Sequence, residues 1–401
     1  MITIESKLNI STVYPINEPY SLEDTVFFDI ETTGFSAKTS FLYLIGCMYY
    51  KEGNWHLTQW LADDMKSETT ILESFFTLLR SCKKLVHYNG SGFDIPFILQ
   101  KCKQYTIPEP FSTIESFDIY KKILPYKRLL PLRNYKLKTI EAFMGIHRKD
   151  TCSGGDLIPI YANYLGKVQY EKLHSKTNNQ DQPDSAPRML SQKELSSSDE
   201  FSQILLLHNL EDVKCLLEIS TILYFIDLFE NKIELSNISP ISYGENSCEV
   251  RIQLPITLPI SILWEAPLAE NFLKMKVSDN QLTLCIPIYH GELKYFYTNY
   301  KDYYFLPKEQ VAMHVSVAQY VDKEYRVKAK PSTCYTKQVA SFLPQVDSSL
   351  SPCFKQEYKD KITYIESTNP FLMDKNVLRE YTKSLCSYFV KNKETKPSLL
   401  P

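Results

Sequence analysis

A chain of 401 residues, 44% of them hydrophobic, has length for about two to three domains at ~150 residues each and supplies ordinary cores. Its formal charge of −2 excludes a globally basic polyanion binder, so any nucleic-acid surface has to be a local patch. Ten cysteines are scattered singly, the nearest two being Cys334 and Cys353, which excludes a Cys-x-x-Cys zinc or redox site and points to reduced thiols in a cytoplasmic protein. Met1–Lys7 lacks the basic-then-apolar pattern of a signal peptide, and the uncharged run Phe41–Tyr50 is too short to span a bilayer. The expectation is a soluble chain with no membrane partner.

In chain order, Val26–Glu31 reads as a strand, Phe41–Tyr50 as a second and Trp55–Leu61 as a third, the last two joined by a turn at Lys51-Glu52-Gly53-Asn54. Ser67 caps an amphipathic helix with Ile71, Leu72, Phe75, Phe76, Leu78 and Leu79 at helical spacing. Lys84–Tyr88 is a short strand ending in the turn Asn89-Gly90-Ser91-Gly92, and a helix opens near Asp94. Ser116–Ile119 is a fifth strand, followed by helices over Leu137–Met144, Asp156–Tyr164 and Phe201–Phe225. A mixed sheet followed by helices is the order of a ribonuclease H-like α/β fold, the sheet flanked by helices. Residues 171–200 carry no aromatic side chain and read as a mobile insertion within a first domain of residues 1–235. A smaller β-rich (α+β) domain, residues 236–401, follows. It has a hairpin of Leu273–Val277 and Leu282–Ile286 around Ser278–Gln281, a closing helix over Lys375–Val390 and a polar tail from Asn392.

The chemistry lies at three places. Asp29 and Glu31 are two apart in a strand and so project from one face, while Phe28 and Ile30 point to the other. Two adjacent like charges need a cation, and hard oxygen ligands select Mg²⁺ or Mn²⁺. Asp94 stands where a strand turns into a helix, in the setting of an N-cap as well as of a ligand. His208 and Asp212, four apart on a helix, share a face. These segments, Val26–Gly34, His87–Phe97 and His208–Val213, resemble in their order the three motifs of the DEDD superfamily of 3′–5′ exonucleases. Asn134–Glu141, Gly145-Ile146 and Gly155–Tyr161 resemble more narrowly the YprB-like subgroup of ribonuclease H-like proteins. The resemblance spans roughly residues 20 to 230.

The resemblance implies two divalent cations. Asp29 bridges both, Glu31 and Asp212 hold the ion that activates water, Asp94 supports the other, and His208 is the general base. Three residues separate His208 from Asp212, the spacing of the tyrosine-type members rather than the histidine-type ones. Thr32 and Asn89 are the candidate substrate-binding residues, Asp118 a candidate at the site's rim, and Glu211 is expected to be solvated. From Lys294 to Lys337 eight basic residues face four acidic ones, interleaved with eight tyrosines, a composition suited to gripping a single strand. The expected activity is metal-dependent 3′–5′ hydrolysis of single-stranded or 3′-ended nucleic acid, DNA ahead of RNA. DNA repair is the expected setting and a helicase the expected partner. The alternatives are a catalytically silent nucleic-acid-binding scaffold and a junction endonuclease on the same fold.

Overall fold

The computed structural model describes residues 1–11, 13–176, 200–235 and 237–400. The chain divides into two compact units, Met1–Lys127 with Leu132–Tyr224, and Arg128–Pro131 with Phe225–Pro401.

The first unit is built on a six-stranded sheet of β1 (Ile2–Leu8), β2 (Thr25–Thr32), β3 (Leu42–Lys51), β4 (Asn54–Leu61), β5 (Lys84–His87) and β6 (Glu115–Asp118), in the order β1-β4-β3-β2-β5-β6. β2, β3 and β4 form an antiparallel meander, and β5 and β6 add in parallel to β2. The strand β1 is not anticipated from sequence. It lies antiparallel on β4 at the sheet edge, and only Ile4 of it is buried, so its alternation carries little hydrophobic signal.

Helices α1 (Glu68–Leu78), α2 (Asp94–Tyr105), α3 (Ile119–Ile123), α4 (Leu137–Phe143), α5 (Gly154–Lys176) and α6 (Glu200–Ile219) complete the unit. Their apolar faces supply Ile71, Leu72 and Phe75, Phe97 and Ile98, Leu157, Tyr161 and Tyr164, and Leu205 and Leu206 to one core with Phe28, Ile30 and Leu44 of the sheet. Two local expectations are corrected. Ser67 holds the cap position of α1, but its hydroxyl donates to Asp64 Oδ1 at 2.7 Å instead of accepting from the helix amides. Helix α5 runs on to Lys176, so the opening of the expected mobile insertion is helical, because Leu165 and Val168 continue the apolar face of Tyr161 and Tyr164 onto the core. The remainder of that insertion, 177–199, lies outside the described residues.

The second unit opens in α7 (Leu223–Phe229) and is β-rich. Strands β7 (Asn237–Ile238), β8 (Ser242–Tyr243), β9 (Ser247–Gln253), β10 (Ile262–Leu268), β11 (Asn271–Ser278), β12 (Gln281–Pro287) and β20 (Lys396–Leu399) make a seven-stranded sheet. The hairpin β11–β12 closes between Ser278 and Gln281 as expected, with Asp279 at φ +53°. The polar tail is an edge strand, β20, antiparallel on β10. A small barrel of β13 (Tyr289–Phe296), β17 (Tyr335–Gln345), β18 (Phe354–Lys355) and β19 (Thr363–Glu366) and a three-stranded sheet of β14 (Tyr303–Leu306), β15 (Val311–His314) and β16 (Val327–Lys328) complete the strands. Between β15 and β16 runs the short α8 (Val315–Ala318). Helix α9 (Lys375–Lys391) is capped by Asp374, which accepts from Asn376 N and Val377 N, and buries Leu378, Tyr381, Leu385 and Phe389. No helix among the described residues is long and apolar enough to cross a membrane.

Candidate active site

The site begins on β2. Phe28 and Ile30 are buried in the core, and period-2 alternation turns Asp29 and Glu31 to the opposite face. Helix α6 packs on that face, against β2 and β3. The fully buried Asn209 of α6 donates from Nδ2 to Asp29 Oδ2 at 3.3 Å and to Asp29 O at 3.4 Å, and its Oδ1 accepts from Gln59 Nε2 at 2.9 Å. Space for this amide exists because the residue opposite Asp29 on β3 is Gly46. A Cβ there would stand 2.0 Å from Asn209 Oδ1. A register irregularity between Glu31 and Thr32 ends the regular pairing, and Thr32 Oγ1 donates to Gly34 O at 2.9 Å.

Asp94 arrives from the other side of β2. Parallel pairing with β5 covers only Thr25–Phe27, and the N–H of Ile30, beyond it, donates to Asp94 Oδ1 at 3.3 Å. Phe93 holds the N-cap position of α2, so Asp94 is the first helical residue and its carboxylate reaches the sheet, not the cap. The turn before it is set by Asp118, whose Oδ1 accepts from Asn89 N at 2.8 Å and whose Oδ2 accepts from Ser91 N at 3.3 Å. Asn89 adopts φ +59°, a conformation that Asn tolerates better than most residues, and its side chain is exposed. Asp118 thus shapes the approach to the site, while Asn89 and Thr32 flank it.

The third contribution is α6 itself. His208 Nε2 lies 3.6 Å from Glu31 Oε1 and 3.4 Å from Asp212 Oδ2, and ligand atoms of Glu31, His208 and Asp212 all fall within 4.8 Å of one another. The loop between α4 and α5 adds residues that sequence reading missed. His208 Nδ1 lies 2.8 Å from Asp150 Oδ2. The guanidinium of Arg148 pairs with Asp212 Oδ1 through Nη1 and with both oxygens of Glu141 through Nε and Nη2. Glu211 is not solvated as expected: its oxygens accept from Lys149 N at 2.9 Å and Asp150 N at 2.8 Å, clipping this loop to α6. The signal that was available is the charge-dense run Arg148-Lys149-Asp150 between two apolar helices.

Electrostatics separate these groups into two sets. Burial, with the charges of Asp212, Asp94 and Glu31 around it, holds Asp29 protonated well above the usual carboxylate range. Burial pushes Glu31 up to about 8 against the pull of His208, and Asp94 up to about 7 against two backbone hydrogen bonds. Asp212 goes the other way. Burial would raise it, but His208 and Arg148 beside it lower it. Burial likewise opposes charge on His208, yet the bond to Asp212 and the charges of Asp212, Glu31 and Asp150 raise it. Three carboxylates, Glu31 and Asp94 buried and Asp29 partly so, that resist ionising together form a donor set short of positive charge, and their hard oxygens fit divalent cations of the Mg²⁺ or Mn²⁺ kind.

A family model described as the RNase H superfamily (RNase_H_2) matches residues 26–183, a span that holds Asp29, Glu31, Asp94, Arg148 and Asp150. The mixed sheet with its helices is thus an RNase H-like α/β region, followed by a β-rich C-terminal region. No curated protein matches. Among solved structures, the chain is similar to the family B DNA polymerase of the hyperthermophilic archaeon Pyrobaculum calidifontis, with 11% identity and a TM-score of 0.36 over 71% of this chain and 36% of that one. The chain spans about a third of that polymerase's length.

Proposed function

We propose that this chain is a metal-dependent nuclease that removes nucleotides from the 3′ end of single-stranded or 3′-ended nucleic acid, with DNA favoured over RNA. The observation that carries the reading is the convergence of Glu31, His208 and Asp212 within 4.8 Å, flanked by Asp29 and Asp94, whose carboxylates are each felt electrostatically by the others. Asp29, Glu31, Asp94 and Asp212 would hold two Mg²⁺ or Mn²⁺ ions. Bound there, such ions supply Lewis-acid stabilisation to the attacking and departing oxygens of a phosphodiester. The protein's own part is positional. Asn209 fixes the rotamer of Asp29, the Ile30 amide fixes Asp94, and Arg148 fixes Asp212, so these three carboxylates are held around Glu31 without reorganising. His208, with Nε2 toward Glu31 and Asp212, accepts the proton from the attacking water. Thr32 and Asn89, at the flanks, contact the substrate, and the tyrosine- and lysine-rich second unit contributes to holding the strand.

The test is digestion of 5′-labelled single-stranded DNA and RNA of equal sequence with Mg²⁺ or Mn²⁺, comparing the wild type with Asp212→Ala. A ladder of products shortened from the 3′ end, absent in the variant, supports the exonuclease and ranks the two sugars. Internal cuts at once would make it an endonuclease. Strand binding without cleavage in either protein would establish the silent binding scaffold instead.

A further inference from the structure

We propose that the second unit carries a docking cleft, beside the start of α9, for an extended acidic segment of a partner protein that inserts one apolar side chain. The inference is independent of the nuclease reading and starts from a fault in the edge of the seven-stranded sheet. β7 pairs with β9 through Asn237 with Gln253 and Ile238 with Ile252, and β8 pairs with the same strand through Ser242 with Glu249 and Tyr243 with Cys248. Between these pairs three residues, Ser239, Pro240 and Ile241, stand against two, Val250 and Arg251. Proline has no N–H for the ladder, and a surplus residue bends the strand that holds it.

A cavity of about 140 Å³ opens at this bend, walled by Ile238, Pro240 and Ile241 of the edge and by Leu372, Met373 and Leu378 of α9 and the turn before it. Ile238, Leu372 and Leu378 are buried, whereas Met373 is 74% exposed and so stands at the mouth. Two of its polar side chains are engaged: Tyr243 Oη donates to Ser367 O at 2.7 Å, and Ser239 Oγ accepts from Arg251 N at 3.0 Å. A nucleobase would leave nitrogens and oxygens unpaired against the aliphatic wall, a cost that a hydrocarbon side chain avoids. The volume is also below the ~300–1,000 Å³ of sites that enclose a whole small molecule. It suits one side chain of a longer polypeptide.

The remaining polar side chain, Lys375, is shared with an adjoining cleft of about 420 Å³ that Asn237, Arg251, Gln253 and Gln281 also line. Among the described residues no carboxylate lines either space. Lys375 makes no ion pair among them, and Asp374 beside it is turned to the amides of Asn376 and Val377. Arg251 holds Glu249 at 2.9 Å in a surface pair, which contributes little and is readily exchanged for a partner's carboxylate. Two cations, three neutral amides and an apolar hole next to them therefore complement an acidic chain with an apolar anchor. β7 is the terminal strand of its sheet among the described residues, which gives an extended segment an edge to follow.

The test is selection from a random-peptide phage library on the full-length protein, with counter-selection on Lys375→Glu. Lys375 and Met373 are exposed, so Lys375→Glu and Met373→Asp are expected to keep the wild-type melting midpoint. The recovered peptides are expected to share one Leu, Ile, Met or Phe flanked by Asp or Glu. In fluorescence anisotropy the labelled consensus peptide is expected to bind the wild type about 10–100-fold more tightly than either variant, and to lose a similar factor when its apolar residue becomes Ser. Failure to enrich any sequence, a basic consensus, or equal binding to the variants overturns the proposal. Oligo-dT binding that Lys375→Glu abolishes also overturns it, making the cleft a nucleic-acid site. Dimerisation in analytical ultracentrifugation that Met373→Asp abolishes overturns it in favour of a contact between two copies of this chain. None of these readouts requires catalysis, so the fate of the nuclease reading does not decide the result.

Discussion

At the scale of single residues, the site sets like charges together and balances them unevenly. Asp29 lacks a cationic partner of its own among the described residues and leans on one amide, Asn209, so ionising it in the metal-free protein is costly. Replacing it by Asn is expected to abolish turnover and to raise the melting midpoint of the metal-free protein, by about 2–4 °C for each kcal/mol relieved; a variant with full activity would remove Asp29 from the ligand set. The pH dependence follows with a definite sign. Glu31 and Asp94 have folded-state pKa values raised to about 8 and about 7, above those of the unfolded chain. Their contribution to stability is complete below the unfolded values and is lost as pH rises through the folded ones. Chemical denaturation of metal-free protein between pH 5 and 9 (roughly the window these shifts bracket) should therefore show stability falling toward the alkaline end, with Mg²⁺ or Mn²⁺ restoring it there. Arg148 is the opposite case, a buried guanidinium that satisfies Glu141 and Asp212 at once. Arg148→Gln removes the cation that Glu141 and Asp212 share, leaving Asp212 with His208 alone, and is expected to cost about 3–5 kcal/mol in denaturant unfolding.

At the scale of elements, the site depends on how closely α6 approaches the sheet. That approach is set by Gly46, directly across from Asp29. Gly46→Ala would drive a methyl group into Asn209 and, at 3.1 Å, against Val213 Cγ2, so α6 must shift or Asn209 must leave Asp29. Overpacking of this kind costs about 1–3 kcal/mol, and activity should fall further than stability because the helix carries both His208 and Asp212. Equal activity in Gly46→Ala would show that α6 tolerates displacement. The strands and helices that carry the candidate residues were legible because each has a strong local signal: the apolar run Val26–Ile30 interrupted by acids, the turn Asn89–Gly92 before Asp94, and the period of Leu205, Leu206, Val213 and Leu216 around His208 and Asp212. Strand β1 was not, since an edge strand with one buried residue leaves almost no hydrophobic pattern. Helix α6 was expected to reach Phe225, but regular α geometry ends at Ile219 and a 3₁₀ turn over Ser220–Ile222 intervenes before α7.

At the scale of the whole molecule, the near-neutral charge conceals an uneven distribution. Within the second unit, part of the basic tract from Lys294 to Lys337 is spent internally: Lys294 pairs with Glu357 and Lys337 with Glu292, Lys308 lies 4.3 Å from the Tyr325 ring centre, and Arg326 lies 4.9 Å from that of Tyr304. Lys301, Lys323, Lys328 and Lys330 are exposed, and Tyr320 is 84% exposed. If these lysines meet a strand, changing all four to Ser should flatten the log–log salt dependence of single-strand binding by about 0.7 for each phosphate no longer neutralised. An unchanged slope would return the tract to the ordinary solvated face of a tyrosine-rich sheet.

The sequence by itself determined the RNase H-like mixed sheet and the β-rich region after it, and it singled out the acidic residues as candidates. These follow from short-range regularities, alternation in strands, helical period and turn residues, which every local segment carries. Only the tertiary structure decided what surrounds those acids. Asn209 against Asp29, Gly46 making room for it, Arg148 on Asp212, Asp150 on His208 and Glu211 clipping their loop to α6 are contacts between segments distant in the chain. No spacing rule encodes them. They exist because α6 is drawn onto β2 and β3 by its apolar face, and burial of that face brings the α4–α5 loop into register with the acids it neutralises.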